Sequence, residues 1–483
     1  MLYTPEENQQ NRLTTTDARG KRIYLYPADV KGRFRSYRGV TQAILILLFL
    51  ALPLLHWHGE QLFLLDIAER RFHFFGLVLW SHDAPMLFLL FIGIALSIAF
   101  VTAIWGRLWC GWACPQTVFV EGVYRRIERL IEGSPRTRQE LDRGPWTAKK
   151  IFKKTLKYTL FLLVSLVITH SFLAYFVGAK KILPMMLAAP SDNWTSFLVI
   201  AFSTAIILFD FAWFREQFCT IMCPYGRFQS VLMDTQSLIV GYDAKRGEPR
   251  RTVPAVLPQG DCVNCLRCVQ VCPTGIDIRK GVQMECIACT SCIDACDEVM
   301  TKLKKTTGLI RYSSEAEFQG QKIKNLRPRT YAYVALIFIA FTTLTTVLAK
   351  KELLELNILR AKDMPYQVVE QSGLSSGTDG SAAKVIINHF KIDADNQDNK
   401  NIEVLFFLSE VDKAKGFELV MVENPLQIKA SSAKKMDFFI RFPSTELHSG
   451  HAKLSVLRTI QINAQPASTI TKSEELSLVG PFF

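Results

Sequence analysis

All twelve cysteines of the 483-residue chain fall in four short groups, and this grouping is the strongest chemical signal in the sequence. A secreted disulfide framework would scatter its cysteines through the loops, whereas grouped cysteines are typical of metal and iron–sulfur sites. Two groups hold four cysteines each and two hold two each. The pattern therefore indicates cofactor chemistry.

The two larger groups repeat the spacing of bacterial ferredoxins. They read Cys262-x2-Cys265-x2-Cys268-x3-Cys272-Pro273 and Cys286-x2-Cys289-x2-Cys292-x3-Cys296. In such runs the close trio binds three corners of a [4Fe–4S] cube, and the fourth cysteine reaches the other cube. The spacing thus predicts two ligand sets: Cys262, Cys265, Cys268 and Cys296 for one cluster, and Cys286, Cys289, Cys292 and Cys272 for the other.

Zinc is the alternative occupant, because a C-x2-C pair also suits a tetrahedral zinc site. A trio with a longer final step, occurring twice, is better explained by iron–sulfur clusters. Asp297 stands where the first run has Pro273, but this proline shapes a turn and is not a ligand. Thiolate clusters also suit the reducing cytoplasm.

The two smaller groups share a second motif at the ends of apolar runs. Residues 109–115 read WCGWACP and residues 218–224 read FCTIMCP. Residues i and i+4 of a helix share one face, so the paired thiols, Cys110 with Cys114 and Cys219 with Cys223, are expected to point the same way. The proline that follows tends to end the helix and leave the second cysteine at a break.

Two apolar runs precede each motif, which indicates a two-helix unit used twice. If these two repeated units pack together, four thiols converge, and several kinds of chemistry are open to them. Soft thiolates could hold Cu(I), cycle between dithiol and disulfide, or ligate a further cluster. The plain alternative is that small, polarizable cysteines only pack between helices. Arg107, Arg215 and Arg227 are expected to lower the thiol pKa values and favour the ligating form.

Five apolar runs are long enough to cross a bilayer, which takes about 20 helical residues. They are residues 40–57, 84–105, 158–177, 194–214 and 331–349. Charged residues interrupt the apolar stretch 61–80, so we expect a short surface-lying or re-entrant segment there. The polar opening, residues 1–30, predicts no cleavable signal peptide.

Basic residues crowd the stretch before the first run and the loop between the second and third runs. By the positive-inside rule, the N-terminus and the ferredoxin loop face the cytoplasm, and the region after residue 350 lies outside. The net charge of +13 then mostly reflects basic loops on the cytoplasmic side of the membrane. It favours contact with anionic membrane lipid, and we expect no nucleic-acid partner.

Asp210, in the fourth run, is a functional candidate because carboxylates are costly inside a membrane. It could accept a proton from a quinol, balance charge at a metal, or simply pair with Arg107 or Arg215.

Several histidines lie in or near the membrane runs. They are His56, His58, His73 and His82 near the outer side and His170 in the third run. The outer imidazoles could bind copper together with Met185 and Met186, but histidines are also ordinary at a membrane edge. His170 could be a proton or metal group, or it could bond a neighbouring helix.

With these motifs together, the sequence resembles the family of cytochrome c oxidase accessory proteins known as CcoG, FixG or RdxA. The resemblance covers nearly the whole chain and rests on the duplicated C-x3-C-P motifs, the two ferredoxin runs and the order of spans. It implies a role in assembling a cbb-type oxidase by reducing Cu(II) to Cu(I), with oxidase subunits or copper chaperones as partners. It also implies that the eight ferredoxin cysteines are cluster ligands.

The C-x3-C-P feature also resembles membrane polyferredoxins of the nitrate and nitrous-oxide reductase systems, which are thought to pass quinol electrons. A quinol-linked relay without a metal substrate is therefore the alternative, and a non-catalytic assembly scaffold is a third. The electron donor would be a cytoplasmic reductant or a quinol.

The resemblance further implies an immunoglobulin-like C-terminal domain, and the local sequence agrees. Apolar or alternating stretches at 383–392, 402–409, 417–423, 435–443 and 453–462 are separated by turn residues.

We therefore expect a multi-pass α-helical protein of the bacterial plasma membrane with an inserted ferredoxin-like α+β module and a C-terminal all-β, immunoglobulin-like sandwich. The expected regions are a cytoplasmic segment 1–38, a four-helix membrane region 39–240, a two-cluster domain 245–325, a fifth helix 331–349 and a periplasmic domain 360–483. The expected catalytic residues are Cys110, Cys114, Cys219, Cys223 and Asp210, and all twelve cysteines are expected metal ligands.

Overall fold

The computed structural model describes residues 15–16, 19, 21–57, 60–80, 83–187, 189–251, 259–322, 327–350, 354–362, 364–370, 384–396, 401–429, 432–447, 450–462 and 470–481. They form two compact units, Met1–Thr346 and Val347–Phe483.

Five helices of the first unit are long and apolar enough to cross a membrane. They are Arg33–Leu54, Ala84–Trp105, Ala148–Val177, Trp194–Phe214 and Pro328–Ala349. The second and fourth coincide with the predicted runs, whereas the others begin earlier in the chain. The first begins at Arg33 because Asp294, in the ferredoxin module, accepts hydrogen bonds from the backbone N–H groups of Phe34 and Arg35 at 3.2 and 2.7 Å. A carboxylate here supplies the acceptor that a helix N-terminus lacks.

Aromatic and apolar side chains fill the centre of the membrane part. Phe119 and Tyr124, which follow the first C-x3-C-P motif, pack against Phe161 of the third span and Phe211 of the fourth. The fully buried Tyr124 hydroxyl lies 2.7 Å from the Ser165 hydroxyl, so this core is tied by a hydrogen bond as well as by burial. The packing joins the two repeated units at the level of their motifs.

The stretch between the first two spans is a β-structure, and its expected surface-lying or re-entrant position stays a prediction. Phe63–Asp66, Arg71–Phe74 and Leu77–Trp80 form an antiparallel three-stranded sheet. His56–Trp57 pairs with Glu60–Gln61 in a separate ribbon. The charged residues that interrupt the apolar pattern lie at the turn after Asp66, where Arg70 has a φ of 55°. They therefore mark a turn between strands.

Short helices connect the spans and build the ferredoxin module. Outside the spans they are Leu108–Trp112, Pro115–Phe119, Val120–Tyr124, Arg125–Glu132, Pro135–Arg143, Ala179–Leu187, Phe218–Met222, Pro224–Leu232, Ala244–Gly247, Arg267–Gln270, Ile278–Lys280, Ser291–Lys302 and Glu315–Phe318. In the module the strands Ile239–Tyr242 and Ile310–Ser313 pair antiparallel. Its core combines apolar side chains with the cluster cysteines.

The second unit is β-rich and has nine strands among its described residues. In chain order, β1 to β9 are Leu354–Arg360, Gln367–Glu370, Lys384–Asn396, Ile402–Leu408, Glu418–Met421, Leu426–Ile428, Ala433–Pro443, His451–Ile462 and Ile470–Val479. One sheet has the order β5-β7-β3-β1 with β2 also on β3, and the other has the order β6-β4-β8-β9. Alternate residues of both sheets, such as Ile386, Phe438 and Val404, share one buried core. The unit also contains the short helices Glu410–Ala414 and Ser444–Glu446.

Candidate functional site

Two cavities of the ferredoxin module are lined by the eight ferredoxin cysteines, with Cys268 lining both. The outer cluster site consists of Cys262, Cys265, Cys268 and Cys296. The inner cluster site consists of Cys272, Cys286, Cys289 and Cys292. Cys268 touches both cavities, so the two sites are adjacent. The fourth cysteine of each run faces the trio of the other run, which is the grouping the spacing predicts. Four thiols around one cavity fit a [4Fe–4S] cube.

The backbone of both runs has the same unusual conformation. Asn264 and Leu266 have φ values of 52° and 58°, and Ala288 and Thr290, at the same places in the second run, have 52° and 64°. A non-glycine residue in this left-handed region costs about 1 kcal/mol or more. Alternating left-handed residues turn successive N–H groups to one side, and such nests bind anions, including iron–sulfur clusters. The conformation is a second feature that fits anionic clusters.

The inner cluster site lies directly against the first C-x3-C-P motif. A Cβ atom on Gly111 would lie 2.5 Å from the Ala288 carbonyl oxygen and 2.7 Å from that of Ile287. Both carbonyls belong to the loop between Cys286 and Cys289. Only glycine permits so close an approach of two backbones. The neighbouring Trp112 donates to the Tyr312 hydroxyl at 3.0 Å, which in turn donates to the Ala288 carbonyl at 3.3 Å.

Two arginines of the membrane part bind the same loop. Arg38 donates to the Cys289 carbonyl at 2.6 Å. Arg107 donates to the Cys286 carbonyl at 3.1 Å and to the Gly226 carbonyl, just after the second motif, at 3.4 Å. Sequence reasoning missed Arg38, because it is one of many basic residues before the first span. The sequence signal for Arg38 is a second polar residue, Gln42, one turn later on the same face of an otherwise apolar helix. Both side chains are buried in the structure.

The second cysteine of each motif lies at a helix break, as the following prolines predict. Cys110 is in the helix Leu108–Trp112, whereas Cys114 is extended and precedes the helix that starts at Pro115. Cys219 and Cys223 repeat this arrangement before Pro224. The expectation that both thiols of a motif share one helix face is therefore wrong, because the second cysteine is no longer in that helix.

The four motif thiols, here called the thiol site, are neighbours. Cys110, Cys114 and Cys223 all act electrostatically on the thiol of Cys219. The fully buried Gln229 donates to the Cys110 sulfur at 3.2 Å. Among the residues that the structure describes, no three His, Cys, Asp or Glu side chains converge closely enough to hold a single metal ion. Their electrostatic interactions thus place the four thiols near one another.

The prediction that arginines lower the thiol pKa values is wrong. Burial raises the pKa of Cys110 to about 11 and also raises the pKa of Cys114 and of Cys219. Arg107 opposes the effect at Cys110 but is outweighed by burial. Arg215 is bound to Glu128 at 2.6 Å. At Cys114 the opposing effect comes from hydrogen bonds of backbone N–H groups in the helix that follows it.

Asp210 contacts the first motif through a glutamine. Gln116 donates to the Asp210 carboxylate at 3.0 Å and to the Arg215 carbonyl at 3.0 Å. Asp210 begins a π-helical turn, a feature often found at functional sites. The Asp210 carboxylate thus binds Gln116 and not Arg107 or Arg215, the partners that were expected as the alternative. Asp210 therefore lies beside the thiol site.

The helix breaks before the two motifs have the same geometry. Gly106 and Arg215 each stand four residues before the first cysteine and have φ, ψ values of 56°, −125° and 50°, −121°. The structural equivalent of Arg215 in the first repeat is therefore Gly106. At Gly106 a Cβ atom would lie 2.2 Å from the Leu238 carbonyl oxygen, so this repeat requires glycine. The second repeat places a strained arginine at the same position.

A buried ion network holds that arginine. Glu128 accepts hydrogen bonds from Arg215 at 2.6 Å and from Arg138 at 3.2 Å, and Lys157 lies 4.0 Å away. Burial alone would raise the pKa of Glu128, but the Arg215 guanidinium and the other cations lower it to about 2. Sequence reasoning missed Glu128, which lies in a run of basic residues.

The histidines do not gather into a site among the described residues. His56 bonds the Leu54 carbonyl at 2.9 Å, and the His170 ring bonds the Leu166 carbonyl of its own helix at 2.7 Å. His73 is buried in the three-stranded sheet. His58 and His82 lie outside the described residues.

Comparison with known proteins identifies the chemistry of these sites. Residues 214–315 match a family model described as a 4Fe-4S dicluster domain, and residues 84–133 match one described as a 4Fe-4S binding domain. The only cysteines in the second range are Cys110 and Cys114. The chain is thus an iron–sulfur electron-transfer protein with five candidate membrane spans.

The chain is 34% identical over 398 residues to the "Nitrogen fixation protein FixG" of Rhizobium meliloti, which spans 73% of this chain and 75% of that protein. It is 38% identical over 299 residues to "Protein RdxA" of Cereibacter sphaeroides, spanning 60% of this chain and 62% of that protein. A crystal structure of a FixG-related protein from Vibrio parahaemolyticus matches 27% of this chain and 97% of its own at 7% identity, with a TM-score of 0.17, and carries no argument about the fold. Taken with the paired cluster sites, these relatives show that the chain belongs to the FixG/RdxA family of membrane ferredoxin-type proteins.

Proposed function

We propose that the chain reduces Cu(II) to Cu(I) at the thiol site and that the product serves the assembly of a cbb-type cytochrome c oxidase. The observation that carries the proposal is the backbone contact between Gly111, inside the first motif, and the loop of the inner cluster site. Clusters bound at the two cluster sites would exchange single electrons. One electron is what the conversion of Cu(II) to Cu(I) consumes.

The residues of the thiol site suit Cu(I) as the product. Thiolates are soft ligands that select Cu(I). A pair of thiolates suffices to hold this ion, so convergence of three side chains is not needed. The backbone N–H groups of Gln116 and Thr117 stabilise a thiolate at Cys114. Copper binding would displace the remaining thiol protons.

The outer cluster site supports electron entry from the aqueous side. Cys265 is exposed, whereas the inner cluster site has buried or half-buried cysteines. A cytoplasmic one-electron reductant is therefore the class of donor that fits this surface.

The test is anaerobic reduction of Cu(II) by the purified full-length protein after chemical reduction of its clusters. We expect the Cys110→Ser/Cys114→Ser variant to keep both clusters and to lose Cu(I) binding and copper reduction. Thr220→Ala, between the cysteines of the second motif, is the matched control and should behave as the wild type. Unchanged copper stoichiometry and rate in the double variant would refute the proposal. Loss of an additional iron–sulfur signal in that variant would instead assign the thiols to a third cluster.

A quinol-linked relay is the second candidate, and an apolar cavity favours it. The cavity, of about 470 Å³, lies between the second and fifth spans and ends at Trp109 and Tyr225, which flank the two motifs. The Thr102 hydroxyl donates to the Ile98 carbonyl at 2.8 Å, so the Tyr225 hydroxyl, 2.6 Å from it, must donate to Thr102. The Tyr225 oxygen is left as an acceptor, which complements the hydroxyl of a hydroquinone.

Gly93 gives a direct test of this second candidate. It lines the cavity, and a Cβ atom there would meet nothing within 4 Å, so Gly93→Leu should fill the cavity without a clash. In nanodiscs free of native quinone, decylubiquinol should bind to the wild type and to Tyr331→Phe, an exposed control on the fifth span. Gly93→Leu should lose this binding, and equal binding by all three proteins would exclude the cavity as a quinol site.

We also propose that the N-terminus and the cluster sites face the cytoplasm, that the second unit is periplasmic, and that it is immunoglobulin-like. The loop charges support the orientation. The sheet orders β5-β7-β3-β1 and β6-β4-β8-β9 resemble the ABED and CFG sheets of immunoglobulin domains, with a short strand added to the second sheet.

A further inference from the structure

The two cluster sites differ in the arginines that lie beside them. At the inner cluster site, Arg38 and Arg107 each donate to the carbonyl of a ligand cysteine, Cys289 and Cys286 respectively. At the outer cluster site, Arg279 acts on the thiols of Cys262 and Cys268. Arg267 also lines this site, but it is half-exposed and donates to the Asp29 carbonyl, so water screens its charge more than that of a buried arginine. Each site thus has guanidinium groups near its ligands.

The Arg279 charge is neutralised locally. Arg279 makes a two-pronged ion pair with Asp277, with hydrogen bonds of 2.8 and 2.7 Å, and it also donates to the Asn264 side chain. Because a carboxylate and a guanidinium in contact have no net charge, the pair changes the field at the outer cluster site only weakly.

The Arg38 charge is not neutralised in this way. Arg38 is 1% exposed, and its Nε and Nη2 atoms have no hydrogen-bond partner among the described residues. Glu121, an acidic side chain on which Arg38 acts electrostatically, accepts hydrogen bonds from Arg35 and Arg125, and Arg125 also pairs with Glu216. Arg38 itself forms no ion pair with a carboxylate of the described residues, so its buried positive charge, here called the excess charge, has no counter-ion in direct contact.

Buried charges are normally paired, so the excess charge needs a counter-ion. The inner cluster site supplies one when its four thiolates hold a cluster, and Arg38 touches it through the Cys289 carbonyl. Arg107 adds a second cation, since it forms no ion pair with any acidic side chain of the described residues.

We infer that Arg38 and Arg107 hold the reduction potential of the inner cluster above that of the outer cluster. Reduction adds one negative charge, and an unneutralised cation in a buried site stabilises that charge more than a neutral ion pair does. An electron that enters at the exposed outer site is therefore retained at the inner site, next to the thiol site. The order of the two cluster potentials does not depend on which substrate the thiol site serves.

The test is a potentiometric titration of the anaerobically purified full-length protein, followed by electron paramagnetic resonance. Arg38→Gln should shift the inner-cluster equilibrium toward the oxidised form by about tenfold, a fall of about 59 mV for a one-electron couple. The outer-cluster potential should not move, and Arg38→Lys should restore the inner one. Arg126→Gln removes an exposed charge of the same helix-rich region and serves as the control.

Iron and sulfide content must equal those of the wild type for each titrated variant. If Arg38→Gln loses iron, Arg107→Gln, at a half-exposed position, replaces it and should lower the inner potential in the same direction. Equal shifts of both clusters, or no shift with full iron content, would overturn the inference.

Discussion

Gly111→Ala is the substitution that most directly tests the contact between the membrane motif and the inner cluster site. The new Cβ atom would lie 2.5 Å from the Ala288 carbonyl oxygen, whereas real Cβ contacts essentially never fall below 3.0 Å. The two backbones must therefore separate by about 0.5 Å or more. The Ala288 carbonyl cannot simply rotate away, because it accepts a hydrogen bond from Tyr312 and its residue has a φ of 52°.

The expected magnitudes follow from this overlap. Inserting one methyl group into a tightly packed contact costs about 1–3 kcal/mol of unfolding free energy. A misplacement of about 1 Å can cost a hundredfold in rate, so a shift of half that size should slow copper reduction on the order of tenfold. Both clusters should remain bound, because none of the eight cysteines is touched.

The assay measures the rate of single-turnover copper reduction and the unfolding free energy of the detergent-solubilised protein, and it compares Gly111→Ala with Gly93→Ala. Gly93 is the matched control, since its added Cβ atom meets no atom within 4 Å. If Gly111→Ala retains the wild-type rate and stability, the close approach at Ile287 and Ala288 is not what couples the two sites.

Three further predictions concern the ion network, the clusters and the orientation. Glu128→Gln should cost about 3–5 kcal/mol because Arg215 loses its buried partner, whereas the exposed Glu140→Gln should change unfolding by less than about 0.5 kcal/mol. The fold lowers the pKa of Glu128 from 4.5 to about 2, which corresponds to a stabilisation of about 3 kcal/mol. This stabilisation is present above pH 4.5 and is lost as the pH falls toward 2. Acid unfolding that is identical in the wild type and in Glu128→Gln would contradict this prediction. Anaerobic protein should hold about eight irons, and Cys272→Ser should damage mainly the inner cluster; loss confined to the outer cluster would reverse the ligand assignment. A reporter that works only outside the membrane should be active when fused after residue 360 and inactive near residue 300, and activity at both positions would reject the proposed orientation.

The cysteine spacing predicted the grouping at the cluster sites because the two runs repeat one known pattern, in which the trio is local and the fourth cysteine reaches the other cluster. The spans were predictable for a similar reason, since length and hydropathy decide them. The start of the first span was not, because residues 33–39 are largely polar and their helix end is capped by Asp294, which is 260 residues from Phe34 in the sequence. The paired strands in the stretch 61–80 were not predicted, because an interrupted apolar run does not show which secondary structure it adopts.

The environment of the thiols also required the structure. Arg107 and Arg215 stand near the cysteines in sequence, which suggested that they act on the thiols. In the fold Arg107 binds backbone carbonyls of Met284, Cys286 and Gly226, and Arg215 binds Glu128. Charge in a sequence shows that an ionic partner is needed but not which partner it will be. Burial, which sequence spacing does not report, then determined the direction of the thiol pKa values.

The two repeats have the same backbone conformation at the helix break before each motif, but a different contact stabilises each break. In the first repeat the break occurs at Gly106, and the absence of a side chain lets Leu238, which precedes the ferredoxin strand Ile239–Tyr242, approach closely. In the second repeat the same conformation occurs at Arg215, where the strain of about 1 kcal/mol or more is offset by a buried ion pair with Glu128. Glu128 follows the first motif along the same helical segment. The helix break of the first repeat therefore contacts the segment leading into the ferredoxin module, and the helix break of the second repeat contacts the first repeat. The consequence is that the thiols of both repeats are positioned against the inner cluster site by one connected set of contacts.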